Sequence, residues 1–269
     1  LDGPSTCGAV ALVVPVRRAD GTAAVLKLQP DHDGQGAGEP AALRAWDGNG
    51  AVRLLDHDPA SGSMLLERLD AERSLATVGD GKVALQILSE LLARLSTAPA
   101  PAEVRALSEV AGDILDRVPR ALTLISDPSQ RDLIGECASV LAEVRSEPGD
   151  RLVHCDLHYY NILASHPNDP REPWLAIDPE PLAGDPGFGL LAALHNRWEE
   201  AVATDDLAGA VRRRFDLMTE VLGLDRQRAT AWTLGRILQY ALRDIERGFT
   251  MWHTEPDRAI ARILLDRTP

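Results

Sequence analysis

Two short apolar segments, each followed directly by carboxylates, constrain this chain more than any other feature. The first, Arg151–Val153, leads into His154 and Asp156, and the second, Trp174–Ile177, leads into Asp178. Apolar runs of this length bounded by Pro, Asn and Asp predict strands. Polar side chains at the ends of buried strands are held by a rigid scaffold, which suits chemistry. We therefore expect the functional site in this part of the chain.

The spacing of the polar residues indicates a reaction class. Asn161 follows Asp156 by five residues, and the second strand ends at Asp178. Kinases use this order: one Asp accepts the proton of the substrate hydroxyl, while the Asn and the later Asp hold magnesium against the nucleotide phosphates. Mg²⁺ takes hard oxygen ligands, and phosphates and water complete its shell. The spacing alone is common by chance, so other parts of the chain have to support it.

Two alternatives exist for the same segment. His154, Asp156 and His158 are also compatible with the metal cluster of a hydrolase, because His and Asp are zinc ligands. No second His pair at ligand spacing accompanies them, and His166 lies in a stretch rich in Pro, Asn and Asp, which disfavours zinc. The second alternative is a strand end with solvated polar residues.

Composition limits the class of protein. The chain has 269 residues, enough for one large domain or two lobes with a sizeable core. It is 45% hydrophobic and 26% charged, which is typical of a globular protein rather than a disordered one. The formal charge of -13 disfavours a nucleic-acid partner and slightly favours a cationic small molecule.

The cysteines and the apolar runs suggest where the protein works. Cys7, Cys137 and Cys155 are odd in number and widely spaced, which argues against a disulfide framework and for a reducing compartment. No apolar run approaches the roughly 18 residues that a membrane span needs, and no signal peptide is recognisable. We expect a cytoplasmic protein without membrane contact.

The first 70 residues predict a small, mostly antiparallel sheet with one helix. Strands at Ala9–Val16 and Ala23–Leu28 are joined by an Asp-Gly hairpin signal, and Ala51–Leu55 and Met64–Leu69 are two more. Lys27 lies inside the apolar run AVLKL and needs an anionic partner if it points inward. A solvent-facing Lys is the alternative. Together with the kinase spacing downstream, the pattern predicts that Lys27 holds nucleotide phosphates.

Further N-terminal residues fit a nucleotide site. Glu39 opens a predicted helix, where it either orients Lys27 as in kinases or simply favours the helix dipole. The small-residue turn at residues 2–8 either covers phosphates with its N–H groups or is an ordinary turn. By position alone, Glu67 and Leu69 lie at the crossover that offers backbone groups to adenine in a two-lobed kinase.

The remaining residues predict helices with apolar stripes that form a core. The predicted helical stretches are Lys82–Thr97, 102–117, Asp132–Glu147, Leu190–Glu200, Asp206–Leu222, Arg226–Phe249 and Pro256–Asp266. Trp198, Trp232 and Trp252 either pack in this core or line a pocket. We therefore predict an α+β, two-lobed protein-kinase-like fold. Residues 1–70 form a nucleotide-binding lobe, and residues 71–269 form a helical lobe with the catalytic loop, the metal site and the substrate pocket.

The ordered motifs resemble the aminoglycoside phosphotransferase family of antibiotic kinases. The stretch EPWLAIDPEPLAGDPGFG is particularly similar to the branch that contains streptomycin 6-phosphotransferases and hydroxyurea phosphotransferases. VLKL, ALRAWDGNGAVRLLDHD, LLERL and WTLGRILQYALRD are similar to that branch as well. The resemblance therefore extends over most of the chain.

The resemblance implies roles for individual residues, with ATP and Mg²⁺ as cofactors. Asp156 would be the catalytic base. Asn161 and Asp178 would ligate magnesium. Lys27 would contact the α- and β-phosphates and be oriented by Glu39.

Supporting residues follow from the same resemblance. His158 stands where kinases keep a basic residue facing the γ-phosphate, Asp185 would buttress the catalytic loop, and His154 would be structural. Two residues depart from the family pattern, which has Gly at the position of Cys155 and frequently Asp at the position of Gly189. Neither departure removes a metal ligand or the base, so they concern the rate and not the reaction type.

The implied function is ATP-dependent O-phosphorylation that inactivates an aminoglycoside, with streptomycin as the favoured substrate. Hydroxyurea, viomycin, or nucleotide binding without turnover are the alternatives. Streptomycin carries two guanidinium groups, which pair with carboxylates. We expect Asp244 to contribute first, because its helix is otherwise apolar, followed by Glu199 with Trp198 nearby. Other candidates are Glu200, Asp205, Asp206 and Glu246. We expect a monomer.

Overall fold

The computed structural model describes residues 1–7, 11–28, 38–166, 169–249 and 255–266. Its strands are β1 (Thr6–Cys7), β2 (Leu12–Arg17), β3 (Ala23–Leu28), β4 (Leu54–Asp58), β5 (Ser63–Glu67), β6 (Asp70–Ser74), β7 (Arg151–Val153), β8 (Ile162–Ala164), β9 (Trp174–Ala176) and β10 (Leu182–Gly184). Its α-helices are α1 (Gly38–Trp46), α2 (Gly81–Leu95), α3 (Leu107–Leu124), α4 (Pro128–Val144), α5 (Leu191–Leu194), α6 (Trp198–Val202), α7 (Leu207–Leu222), α8 (Arg226–Glu246) and α9 (Glu255–Leu264).

The N-terminal part is an antiparallel sheet with one helix. Its strands follow the order β1-β2-β3-β5-β4. Lys27 on the central strand β3 pairs with Val13 on one side and with Met64 on the other. Helix α1 buries Leu43 and Trp46. This part confirms the predicted antiparallel lobe. Residues 8–10, where the first strand was expected to begin, lie outside the described residues.

The chain leaves this sheet through β6, which pairs with β8 in a second, three-stranded sheet of order β6-β8-β9. The segment before β4 also joins β9: Val52 N donates to Ala176 O at 2.8 Å, and Ala176 N donates to Gly50 O at 2.9 Å. The strand predicted at Ala51–Leu55 therefore begins later, at Leu54, because the backbone at residues 50–52 bonds to β9.

Helix α8 lies at the centre of the helical part. It packs against α3, α4, α9 and the 3-10 turn Pro186–Gly189. Trp232 on this helix is fully buried, so it belongs to the core. Trp252 lies outside the described residues. Among the helices that the structure describes, none has the length and apolar character to cross a membrane.

The prediction of one continuous helix is wrong. Leu190–Glu200 was expected to be a single helix, but the structure has α5 and α6 with Arg197 between them in a left-handed conformation, at φ 53°. Arg197 Nη2 donates to Val78 O at 2.7 Å, and its Nε lies 2.9 Å from Glu200 Oε1. These tertiary contacts accompany the break, and a helical periodicity in the sequence cannot reveal them.

Candidate active site

Lys27 and Glu39 form a buried ion pair between β3 and α1. Lys27 Nζ lies 2.7 Å from each carboxylate oxygen of Glu39, and the two residues are 5% and 8% exposed. Lys27 also contacts Asp178 Oδ1 from the helical part of the chain. Burial opposes the charge on Lys27, but the Glu39 and Asp178 carboxylates outweigh it and raise the Lys27 pKa. Lys27 therefore points inward and remains a cation.

His154 connects the ends of the two strands that precede the carboxylates. It follows β7, is fully buried, and stacks on Trp46 with ring centroids 6.0 Å apart. Its Nε2 lies 3.0 Å from Ile177 O, the carbonyl immediately before Asp178. Burial lowers the pKa of His154 to about 4, so the ring is neutral at pH 7. Its position is beneath the Asp178 segment, away from solvent.

A tight turn presents Asp156. Cys155 has a left-handed φ of 57°, and Asp156 N donates to His154 O at 2.8 Å across it. Cys155 itself is buried, and burial raises its thiol pKa to about 12, so it is not a thiolate nucleophile. Burial also raises the pKa of Asp156 to about 6, the Glu180 carboxylate adds to this, and Arg236 opposes it. A carboxylate with this pKa is ionised at neutral pH and can accept a proton.

Asn161 lies beside Asp156 on the 3-10 turn Tyr159–Asn161. Its Nδ2 donates to Asp156 O at 3.0 Å and to Asp156 Oδ2 at 3.2 Å, which leaves the amide oxygen as the group that could bind a cation. Asp178 has 54% of its side chain exposed. One amide oxygen and one carboxylate are a donor set that suits Mg²⁺ with phosphate and water ligands. This set fits magnesium.

The zinc alternative is not supported by the histidines. His154 uses Nε2 on Ile177 O, and His158 uses Nδ1 to accept from Tyr160 N at 3.2 Å. Within the described ranges, no group of three His, Cys, Asp or Glu side chains is arranged to hold a metal. His158 Nε2 instead lies 3.8 Å from Asp156 Oδ2. Burial lowers the pKa of His158, and the neighbouring His195 contributes to the same effect.

Glu67 and Leu69 lie at the crossover between the two parts of the chain. The Glu67 carboxylate binds both terminal nitrogens of Arg171 at 2.8 Å and accepts from Arg53 N at 2.7 Å. Leu69 is buried. The Glu67 side chain is therefore engaged in an ion pair, and any contact with adenine would have to come from backbone groups.

Asp185 connects the 3-10 turn Pro186–Gly189 to helix α8. It accepts from Gly187 N at 2.8 Å and from Arg228 Nε at 2.6 Å. The 3-10 turn that it caps carries Gly189, where a Cβ would lie 3.2 Å from Val153 Cγ1 at the end of β7. Asp185 is thus linked to the turn at Cys155 only indirectly, and Gly189 avoids a tight contact with Val153.

The acidic substrate candidates differ in their surroundings. Asp244 is half-buried on α8, Trp198 is half-buried on α6, and Glu199 is exposed beside it. Three others are engaged elsewhere: Glu246 with Arg117, Asp206 with Arg213 and Glu200 with Arg197. Asp244 follows Arg236 and Tyr240 at intervals of four residues, so all three share one helix face.

No role was predicted from the sequence for Arg236 and Glu180, which lie beside Asp156. Arg236 Nη2 contacts Cys155 O and Glu180 Oε2. A signal for Arg236 was present: it lies inside the apolar run Leu234–Leu238 of a predicted helix, which is the same pattern that pointed to Lys27. Glu180 stands two residues after Asp178 in the quoted motif, and nothing in the sequence distinguishes it from a surface carboxylate.

The chain is similar to known proteins over most of its length. A family model described as "Aminoglycoside/hydroxyurea antibiotic resistance kinase" matches residues 2–248. Streptomycin 6-kinase from Streptomyces glaucescens is 57% identical over 92% of this chain and 79% of its own length. Hydroxyurea phosphotransferase from Kitasatospora aureofaciens is 52% identical over 98% of this chain and 74% of its own length.

A solved structure is similar in fold. It is a thermostable mutant of aminoglycoside phosphotransferase APH(4)-Ia in ternary complex with AMP-PNP and hygromycin B. Its TM-score is 0.64 at 16% identity, and the match covers 96% of this chain and 92% of that chain. The predicted two-lobed kinase-like fold is therefore confirmed.

Proposed function

This chain belongs to the family of aminoglycoside/hydroxyurea antibiotic resistance kinases, and we propose that it uses ATP to phosphorylate a hydroxyl of streptomycin. One observation carries the proposal. Lys27, which is paired with Glu39, contacts Asp178 from the other part of the chain, and the proposed base Asp156 lies on a neighbouring turn. Identity to a streptomycin 6-kinase over most of the chain favours streptomycin as the acceptor.

The proposed reaction is an in-line transfer. The acceptor hydroxyl oxygen forms a bond to the γ-phosphorus while the bond from that phosphorus to the β–γ bridging oxygen breaks, and ADP leaves. Asp156 accepts the hydroxyl proton. Lys27, oriented by Glu39, binds phosphate oxygens of ATP. Catalysis is then mainly positioning and charge neutralisation.

Asn161 and Asp178 would hold Mg²⁺, which, when bound, supplies charge neutralisation at the phosphates. Asn161 also fixes Asp156 through its two hydrogen bonds, so the base and a metal ligand are positioned together. His158, 3.8 Å from the Asp156 carboxylate, would face the γ-phosphate side of the base. Backbone groups between Glu67 and Leu69 would contact adenine.

We further propose that residues 1–70 and 71–269 act as the two lobes, with substrate groups Asp244, Glu199 and Trp198 in the second. We also propose a monomer as the active form. ATP as the phosphate donor, together with buried free thiols at Cys137 and Cys155, supports a cytoplasmic protein.

Coupled ADP release tests the proposed function. The protein is assayed with ATP and Mg²⁺ against streptomycin, hydroxyurea and viomycin, with Asp156→Ala as the control. Turnover of streptomycin that is lost in the variant is the expected result. Turnover of hydroxyurea alone would move the substrate assignment to the second relative. ATP binding without turnover of any acceptor would contradict the proposal.

A further inference from the structure

A buried arginine on α8, Arg236, contacts both segments of the candidate active site. Only 5% of its surface is exposed. Its Nη2 lies 2.7 Å from Glu180 Oε2 and 3.3 Å from Cys155 O. Cys155 immediately precedes Asp156, and Glu180 follows Asp178 by two residues. One guanidinium group therefore joins the segment of the base to the segment of the metal ligand.

The guanidinium is fixed on its other sides as well. Nη1 donates to Gln239 Oε1 at 2.8 Å. The group also lies over two aromatic rings, with 5.4 Å to the centroid of Phe188 and 4.7 Å to that of Tyr240. Arg combines planar stacking with donors in a rigid fork. Arg236 consequently has little freedom, and its contacts with Cys155 and Glu180 hold these two residues at a fixed separation.

The contact with Cys155 stabilises an unfavourable turn. Cys155 has φ 57°, a conformation that residues with a Cβ avoid because Cβ approaches the following carbonyl oxygen. The residue is buried, and its carbonyl oxygen accepts from Arg236 Nη2. A buried carbonyl needs such a donor. Arg236 thus supports the same turn that presents Asp156.

We infer that Arg236 is a positioning residue for the phosphoryl transfer, an inference that rests on the proposed function. It acts through the Cys155 carbonyl and the Glu180 carboxylate to set the position of Asp156 relative to Asp178. A base displaced by about 1 Å costs roughly 100-fold in rate, although substrates still bind. The effect of losing Arg236 should therefore fall on kcat rather than on KM.

Arg236→Met is the main test. Met keeps an apolar chain of similar length, and Glu180, whose side chain is 64% exposed, returns to water when the pair is broken, so the variant should fold. The expected result is a kcat about 100-fold lower, with KM for ATP within about 3-fold of wild type. The melting temperature should fall by only a few degrees, because the buried Cys155 carbonyl loses its donor. An unchanged kcat, or a parallel collapse of kcat and melting temperature, would overturn the inference.

Arg236→Lys separates charge from geometry. Lys keeps the positive charge but lacks the fork that reaches two acceptors at once. We expect its kcat to lie between those of wild type and Arg236→Met at unchanged KM for ATP. A Lys variant slower than the Met variant would contradict the positioning role.

Arg243→Met is a matched control on the same helix. Arg243 also lies 4.7 Å from the Tyr240 centroid but is exposed. Its replacement removes a ring contact of the same kind and should leave kcat unchanged. A loss equal to that of Arg236→Met would show that the Tyr240 ring, and not the contacts of Arg236 with Cys155 and Glu180, is what matters.

The double variant Glu180→Gln/Arg236→Met tests the partner. If Glu180 acts through Arg236, the double variant is no slower than Arg236→Met alone, whereas independent effects would multiply. Multiplied losses would overturn the part of the inference that involves Glu180.

Crystal structures of the wild type and of Arg236→Met test the role of Arg236 independently of the proposed substrate. Absence of wild-type turnover with streptomycin and hydroxyurea would reject the proposed substrates, and the structures would then decide the role of Arg236. We expect the Cys155 carbonyl and Asp156 to be displaced relative to Asp178 in the variant. An Asp156 at the same position in both structures would overturn the inference.

Discussion

Lys27 Nζ lies 2.7 Å from both carboxylate oxygens of Glu39, which is twelve residues further along the chain on the first helix. The pair is almost completely buried. Lys27 has a second carboxylate partner, Asp178, which comes from the other part of the molecule. Removing the partner of a buried charge strongly destabilises the folded protein. The same contacts therefore determine both the stability of the sheet and the position of the cation that we propose to bind phosphate.

Breaking and replacing this pair should have different effects. Glu39→Gln leaves Asp178 as the remaining carboxylate partner of Lys27. We therefore expect a loss in unfolding free energy below the roughly 3–5 kcal/mol of a buried charge without any partner, and a higher KM for ATP. Lys27→Met/Glu39→Leu replaces the pair by apolar groups and should recover most of the stability without recovering ATP binding. Denaturant unfolding and ATP titration measure the two effects. A double variant that binds ATP normally would contradict the role of Lys27.

Asp156→Asn should remove the base and preserve the shape of the turn. Loss of a general base lowers the rate by roughly 10²–10⁴-fold. Because the groups that we propose to bind ATP are other residues, the Kd for ATP should change little. Single-turnover kinetics and equilibrium ATP binding give the two quantities, and a variant that retains the wild-type rate would exclude Asp156 as the base.

His154 should make the protein less stable in acid. Its pKa is about 4 in the folded protein against 6.5 for an unperturbed His, because burial disfavours the charged ring. Between these values the unfolded chain binds more protons, so the unfolding free energy falls as the pH decreases from about 6.5 to about 4. Stability curves of wild type and His154→Gln should therefore converge toward low pH. Curves that stay parallel across this range would contradict the buried neutral ring.

Asp244→Asn should affect only the acceptor. A charge-assisted hydrogen bond to a guanidinium is worth roughly 1.5–3 kcal/mol, so we expect KM for streptomycin to rise about 10-fold or more while KM for ATP stays constant. Glu143→Gln serves as the control, because Glu143 is an exposed carboxylate on α4. An equal change in both variants would indicate a general charge effect and not a contact at Asp244.

The family and the candidate base and metal ligands followed from the sequence because they depend on local order. Asp156, Asn161 and Asp178 follow short strands at fixed spacing, and Lys27 stands out as a charge inside an apolar strand. Local pattern also located most helices. It could not show that Arg197 interrupts one of them, since the break is accompanied by a contact with Val78, more than a hundred residues away.

The contacts that no motif predicted were decided by the tertiary structure. The sequence determined the residue types that the chemistry needs and the strands that carry them. It did not determine that Arg236 would contact Cys155 and Glu180, or that Glu67 would be occupied by Arg171. Side-chain periodicity reports which face of an element is buried, but not which side chain lies opposite it. The contact partners are fixed when the helices and sheets pack together, because a buried charge is stable only where packing places a partner beside it.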